Sequence, residues 1–314
     1  MIKLSDIISA RQIIAGGVHR TPLMSSMSLG RRTNVRLHFK AEVFQKTGSF
    51  KPRGSINKLY HLSEEERGRG VITTSSGNHA QGFAYAASLF GSPATVVMAD
   101  TARPNKVSAT KGYGAEVVLT DGDLFTTCLE IQKERNLTMV HPFDDPHMVA
   151  GHGTIGLEIL DDLPEVDAVF VPIGGGGLIS GIATAIKLKK PRVKIVGVEP
   201  TGAPGMWQSL QQKKVVRLDK IDTIADGLSP PFVGELNLAL VQKYVDDIVL
   251  VSDDDMIEAI CLLLEWCKIL TEPAGAASFA ALLFGGANIP SGSEVVCILS
   301  GGNIDRSHLG HFLT

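Results

Sequence analysis

The stretch 167–190, DAVFVPIGGGGLISGIATAIKLKK, followed at 194–200 by KIVGVEP, sets the fold class. A short apolar run, a glycine turn, a helix-period segment and a second apolar run read as strand, turn, helix and strand. The order predicts parallel strands joined by a crossover helix. Gly174, Gly175, Gly176 and Gly177 stand in the turn. Four successive glycines lose much backbone freedom on folding, and a tight packing turn needs only one or two. They are therefore expected to wrap main chain around an anion such as a phosphate. Working outward, the rhythm recurs: VITTS then HAQGFAYAASLFG, ATVVMA then PNKVSATKGYG, AEVVL then LFTTCLEIQKERN, with EVVCILSGG closing the chain as a buried strand. Both halves are α/β, each expected as an open, mostly parallel sheet flanked by helices, without a flexible linker or a fixed-period repeat.

Composition narrows the partners. The chain has 314 residues, 44% of them hydrophobic, enough for two packed lobes. A net charge of -3 argues against a nucleic-acid surface or an anionic-lipid anchor and for a small-molecule ligand. Four cysteines without a CxxC pair fit a reduced, cytoplasmic protein. The N-terminal segment mixes charged and apolar residues and reads as a helix of the mature fold, not a targeting signal. The segment 273–290 reads as a buried helix, not a membrane span.

Three further constellations lie at strand ends or helix starts, where ligands of open α/β sheets bind. In Ser49-Phe50-Lys51-Pro52-Arg53-Gly54 a lysine opens a helix. The helix dipole disfavours a cation there, which suits a neutral amine for imine chemistry, although a solvated lysine would leave the same pattern. Ser75-Ser76-Gly77-Asn78-His79 follows the strand VITT and precedes a helix, which makes either a carboxylate or phosphate cradle or an ordinary N-cap. Ser300-Gly301-Gly302-Asn303 ends the last strand, as a ligand contact or a plain turn.

A nucleotide-binding oxidoreductase is the rival from another class, because Glu199 ends the strand after the glycine turn, as a ribose-binding acid would. Ser180 stands where that fingerprint needs its third glycine. His141, His147 and His152 lie near Asp144 and Asp145 without metal-site spacing. The runs 64–66 and 253–255 read as solvated acidic helix starts.

Taken in order, HRTPL at 19–23, the lysine motif, SSGNHAQ, HPFDD, AGHGTIGLEIL, VPIGGGGLISG, ADG at 225–227, TEPAGA at 271–276 and SGGN at 300–303 resemble the fold-type II pyridoxal-phosphate family of threonine dehydratases and serine racemases. The resemblance covers nearly the whole chain. It implies a tryptophan synthase β-like fold, with 1–60 plus 146–314 as the large cofactor-binding domain and 61–145 as a small substrate-closing domain. It implies pyridoxal 5'-phosphate on Lys51 as a Schiff base, Phe50 against the ring, Asn78 on the phenolic oxygen, Gly174 to Gly177 on the phosphate and Ser300 facing the pyridine nitrogen. Ser75, Ser76 and the amides around Asn78 and His79 would take the substrate carboxylate, and Lys51 would be the base for the α-proton.

The implied reaction is loss of water and ammonia from L-threonine or L-serine to a 2-oxo acid. Serine racemisation, with Ser76 as the second acid/base, stays open, as does dehydration of hydroxyaspartate or another β-hydroxy amino acid; His141-Pro142-Phe143-Asp144 resembles the dehydratase version of its segment. For a divalent or monovalent cation, Glu199 and the carbonyl of Ala203 match the family pattern, while Gly205 stands where an Asp is expected. The chain runs about ten residues past SGGN, so the resemblance implies no regulatory extension. A homodimer or homotetramer is implied as well.

Overall fold

A computed structural model describes residues 2–306, 309 and 310. Two sheets organise it. The larger has six strands in the order β1 (Leu23–Ser25), β2 (Arg36–Ala41), β10 (Glu294–Leu299), β7 (Ala168–Pro172), β8 (Lys194–Pro200), β9 (Asp247–Val251). The smaller has four, in the order β5 (Glu116–Thr120), β4 (Ala94–Ala99), β3 (Val71–Thr74), β6 (Thr138–Met139). Every pairing is parallel except β1 against β2. The expected class is thus observed.

The central strands β7, β8 and β10 are almost wholly buried, and they read as continuous apolar runs because helices cover both faces. Val169, Val171, Ile195, Val296 and Ile298 face one helical layer, while Phe170, Val196, Val198, Val295 and Cys297 face the other. The alternation follows the two-residue period of a strand. A third cluster, including Ile56, Phe83, Val96 and Met148, fills the space between the small sheet and its helices.

Two helices are pressed together by glycine. The helix Pro146–Asp162 lies against the helix Gly177–Lys189 so closely that a Cβ on Gly181 would overlap the main chain at Val149. This contact fixes the glycine turn relative to the centre of the fold. The segment 273–290 forms the buried helix Pro273–Phe284, and no described helix is long and apolar enough to cross a membrane. The acidic run at 253 corrects an expectation. Asp253 is not merely solvated, because its carboxylate accepts from Thr223 Oγ1 at 2.6 Å and Ile224 N at 3.0 Å, pinning the loop before Ala225.

Candidate active site

Lys51 is the first residue of the helix Lys51–Tyr60, with Pro52 in its first turn. The approach to it is sewn to the end of β10: Phe50 N donates to Ser300 O at 3.1 Å, Ser49 bridges Gly301, and Gly302 N donates to Gly48 O at 2.9 Å. Gly48 has φ +70°, a left-handed turn that favours glycine. Behind the helix, Arg53 is fully buried and forks between Glu42 (Nε to Oε2, 2.8 Å) and Glu158 (Nη1 to Oε1, 2.7 Å), while Lys40 reaches Glu158 at 2.6 Å. Burial opposes the Arg53 charge, but the two carboxylates outweigh it and raise its pKa. Two cations and two anions balance, and loss of one partner would leave a buried charge unpaired, a cost of about 3–5 kcal/mol.

The Lys51 amine lies 5.0 Å from the centroid of the Phe50 ring. Desolvation pulls its pKa down to about 8, against the attraction of Glu272. Roughly a fifth of this lysine is thereby neutral at pH 7.4, far more than an unshifted amine would keep in the form that acts as nucleophile or base. Gly82 lets the neighbouring helix approach, since a Cβ there would stand 2.8 Å from Lys51 Cβ.

The glycine turn lies between β7 and the helix Gly177–Lys189, with Gly176 at φ +94° as N-cap. Among the described residues, the amides of Gly174, Gly175, Gly176 and Gly177 have no backbone acceptor, so they form the donor end of a thirteen-residue helix. The expectation that packing needs only one or two of these glycines is corrected. A Cβ on Gly174 would lie 2.9 Å from Gly227 O, one on Gly175 would overlap the Phe143 ring, and one on Gly176 would lie 2.8 Å from Asn237 Cβ. One on Gly177 would come within 3.0 Å of Phe143 O. Packing on the outside of the turn therefore constrains all four, while the amides stay available inside.

The loop after β3 is looser. Ser75 Oγ accepts from Gly77 N at 3.2 Å, and Ser76 Oγ accepts from Ala99 N at the end of β4 at 3.1 Å, which leaves both hydroxyl protons uncommitted. Asn78 is fixed from two sides: its Nδ2 donates to Glu272, and its Oδ1 accepts from Asn303 Nδ2 at 2.8 Å. One Nδ2 proton remains for a ligand. The His79 side chain is taken up by the fold, which leaves only its backbone amide for a ligand. Its buried ring meets Thr73 Oγ1 at 3.0 Å; that hydroxyl donates to Val140 O, so the imidazole supplies the Nε2 proton. Burial first, then Lys51, hold this ring neutral. Ser300, 4% exposed, reaches Ala274 O at 3.3 Å.

Glu199 has another use than a ribose or a cation. Its two oxygens accept from Met206 N at 2.7 Å and Trp207 N at 2.8 Å, capping the helix Gly205–Gln212, and burial raises its pKa to about 8. The dinucleotide reading loses its acid by this geometry. Ala203 O accepts from Gly205 N at 3.0 Å, and no cluster of three metal-binding side chains occurs among the described residues.

Sequence reasoning did not single out Glu272, His152 or Asn303 as site residues. Glu272 is buried and its carboxyl pKa is raised by burial, with Lys106 and the Asn78 amide opposing. An acid directly before Pro273 at a helix start was the available signal. His152 packs edge-on against Phe50 at 4.8 Å, with both ring nitrogens buried and unpartnered among the described residues.

The family model described as pyridoxal-phosphate dependent enzyme matches residues 14–301. An L-threonine ammonia-lyase of Thermotoga maritima is 47% identical over 309 residues, covering 97% of this chain and 76% of that protein. The structure of maize serine racemase superposes with a TM-score of 0.95 at 38% identity, covering 99% of this chain and 96% of the other. The processed form of threonine deaminase isoform 2 from Solanum lycopersicum gives 0.93 at 38% identity, covering 98% and 91%.

Proposed function

The chain belongs to the pyridoxal-phosphate dependent enzyme family, and from that premise we propose that it removes water and ammonia from L-threonine, and from L-serine, leaving a 2-oxo acid. The carrying observation is the buried Lys51 amine at the helix start, beside the Phe50 ring and within reach of the charge on Glu272, which itself holds Asn78. The cofactor is pyridoxal 5'-phosphate, and the unpartnered groups match it. The free amides of 174–177 suit a phosphate and the spare Asn78 proton suits a phenolic oxygen, while the Ser300 hydroxyl, now donating to Ala274 O, would turn that one proton to a pyridine nitrogen. When bound, this group supplies an electron sink that makes an amino acid's α-proton removable and lets a β-substituent depart.

The chain's residues do the rest. Lys51 anchors the group and takes the α-proton on Nζ. Phe50, braced by His152, supports one face of the ring. Ser75, Ser76 and the amides of 77–79 hold the substrate carboxylate, using the hydroxyl protons that Gly77 N and Ala99 N leave free. Residues 61–145 act as the closing domain over 1–60 and 146–314, joined across the cleft mouth by Lys106 and Asp226 at 3.0 Å. Exposed Met27 and Trp266 support a homodimer or homotetramer, and four free cysteines support a cytoplasmic setting.

The purified protein should carry a visible absorbance band that borohydride removes, and should form 2-oxobutanoate from L-threonine. Lys51→Ala should lose both. A Lys51→Ala protein turning over at the normal rate would sink the proposal, and chiral analysis of the L-serine reaction separates elimination from racemisation at Ser76.

A further inference from the structure

His141 lies two residues past the end of β6, at the carboxyl edge of the small sheet, where ligands of parallel sheets bind. Val140 N donates to Ile72 O at 2.8 Å and Thr73 Oγ1 to Val140 O at 2.7 Å, so His141 emerges level with the residues that lead into Ser75. Its ring is oriented by its own turn. Nδ1 accepts from Asp144 N at 2.9 Å and Phe143 N at 3.3 Å, which puts the proton on Nε2 and points it away from that turn. Nε2 has no hydrogen-bond partner among the described residues, and unlike the nitrogens of His152 it is not sealed from solvent.

The surroundings place the ring between the two cradles. Phe143 stands edge-on at 4.7 Å, and the same Phe143 lies on Gly175 of the glycine turn. Phe125 closes the other side at 6.3 Å. Burial lowers the His141 pKa, Asp144 and Asp145 oppose it, and the Lys51 charge lowers it further, so the ring is neutral and within electrostatic reach of the reacting amine. One fixed neutral donor between two aromatic rings suits a carbon bearing both a hydroxyl and a methyl group.

We propose that His141 is a substrate-binding residue, whose Nε2–H donates to the β-hydroxyl oxygen of the amino acid and orients its C–O bond for departure. This rests on the elimination reading above. The carboxylate is already provided for by the 75–79 loop, and the β-hydroxyl is the remaining oxygen that needs a donor.

The test compares L-threonine with L-β-chloroalanine, whose chloride needs no such donor, in the wild-type holoenzyme and in His141→Phe, His141→Asn and His141→Gln. With phenylalanine, kcat/KM for threonine should fall about 10- to 100-fold while that for β-chloroalanine stays within about threefold. Gln, long enough to present an N–H, should recover part of the loss, and Asn should not. The visible band reports a folded, loaded protein in each case, and if the phenylalanine variant lacks it, the Gln and Asn pair decides. Equal losses on both substrates, or none on either, overturn the inference. A wild type inert toward both overturns the elimination reading and this inference together.

Discussion

Two turns of this molecule share one plan and differ in stiffness. Gly174 to Gly177 and Ser75 to Asn78 each leave a parallel strand and open a helix, each offering amides to an anion. In the first, packing or a positive φ forbids a Cβ at all four positions, and three of the four glycines are buried. In the second, residues 75–78 are half-buried, and a Cβ on Gly77 would meet nothing within 4 Å. A group that stays bound gains from donors fixed before it arrives. A substrate that enters and leaves on every turnover needs room, so low local packing belongs on its side of the cleft. The difference supports the proposed roles, the rigid turn for the phosphate and the open one for the substrate carboxylate.

The contrast breaks most visibly at Gly175. Gly175→Ala puts a methyl group into the Phe143 ring, and relief must come by moving Phe143 or the turn. Overpacking of this kind costs about 1–3 kcal/mol, and displaced amides should weaken cofactor affinity by about 100-fold or more. Titrating pyridoxal phosphate into the cofactor-free protein, with its melting temperature, checks both. Adding Phe143→Ala should restore part of the affinity; no restoration would mean that the ring is not the obstacle.

Legibility followed range along the chain. The glycine turn and the Lys51 helix start are local patterns, so their backbone could be read from neighbours. Partners such as Glu272 for Asn78, or Asn303 for Thr47 and Asn78, come from residues about 200 positions away or more, brought together only when β10 inserts between β2 and β7. The Arg53 network was hidden likewise, because Lys40 and Glu158 carry no local sign of burial. The glycines misled in one respect: they announced a ligand, and the packing behind them was invisible without Phe143, Asn237 and Gly227 in place.

Lys51 measures what the rigid side costs before any group binds. Its native pKa near 8 lies below the ordinary 10.5, so folding disfavours the charged amine. The penalty is full below pH 8, where the amine is charged in both folded and unfolded chains, shrinks as pH rises from 8 to 10.5, and vanishes above. Lys51→Met should therefore stabilise the cofactor-free protein at pH 7 by roughly 2 kcal/mol, allowing for the amine's partial contact with water. The gain should fade in melts above pH 9. A gain independent of pH would assign it to packing instead of desolvation.

Gly77→Ala is the smallest and sharpest probe, because it repeats the Gly175 change in the open turn. The added methyl meets open space, but the native backbone, φ −137° and ψ −140°, lies outside the β region that non-glycine residues favour. Stability should fall by about 1 kcal/mol from local backbone strain alone, and cofactor affinity should hold. The methyl would, however, stand beside the amides assigned to the substrate carboxylate, so KM for L-threonine should rise by roughly threefold with kcat nearly unchanged, the pattern of lost uniform binding. If Gly77→Ala instead released the cofactor as Gly175→Ala is expected to, both turns would serve the same bound group, and the division of the cleft into a fixed and an exchanging side would be lost.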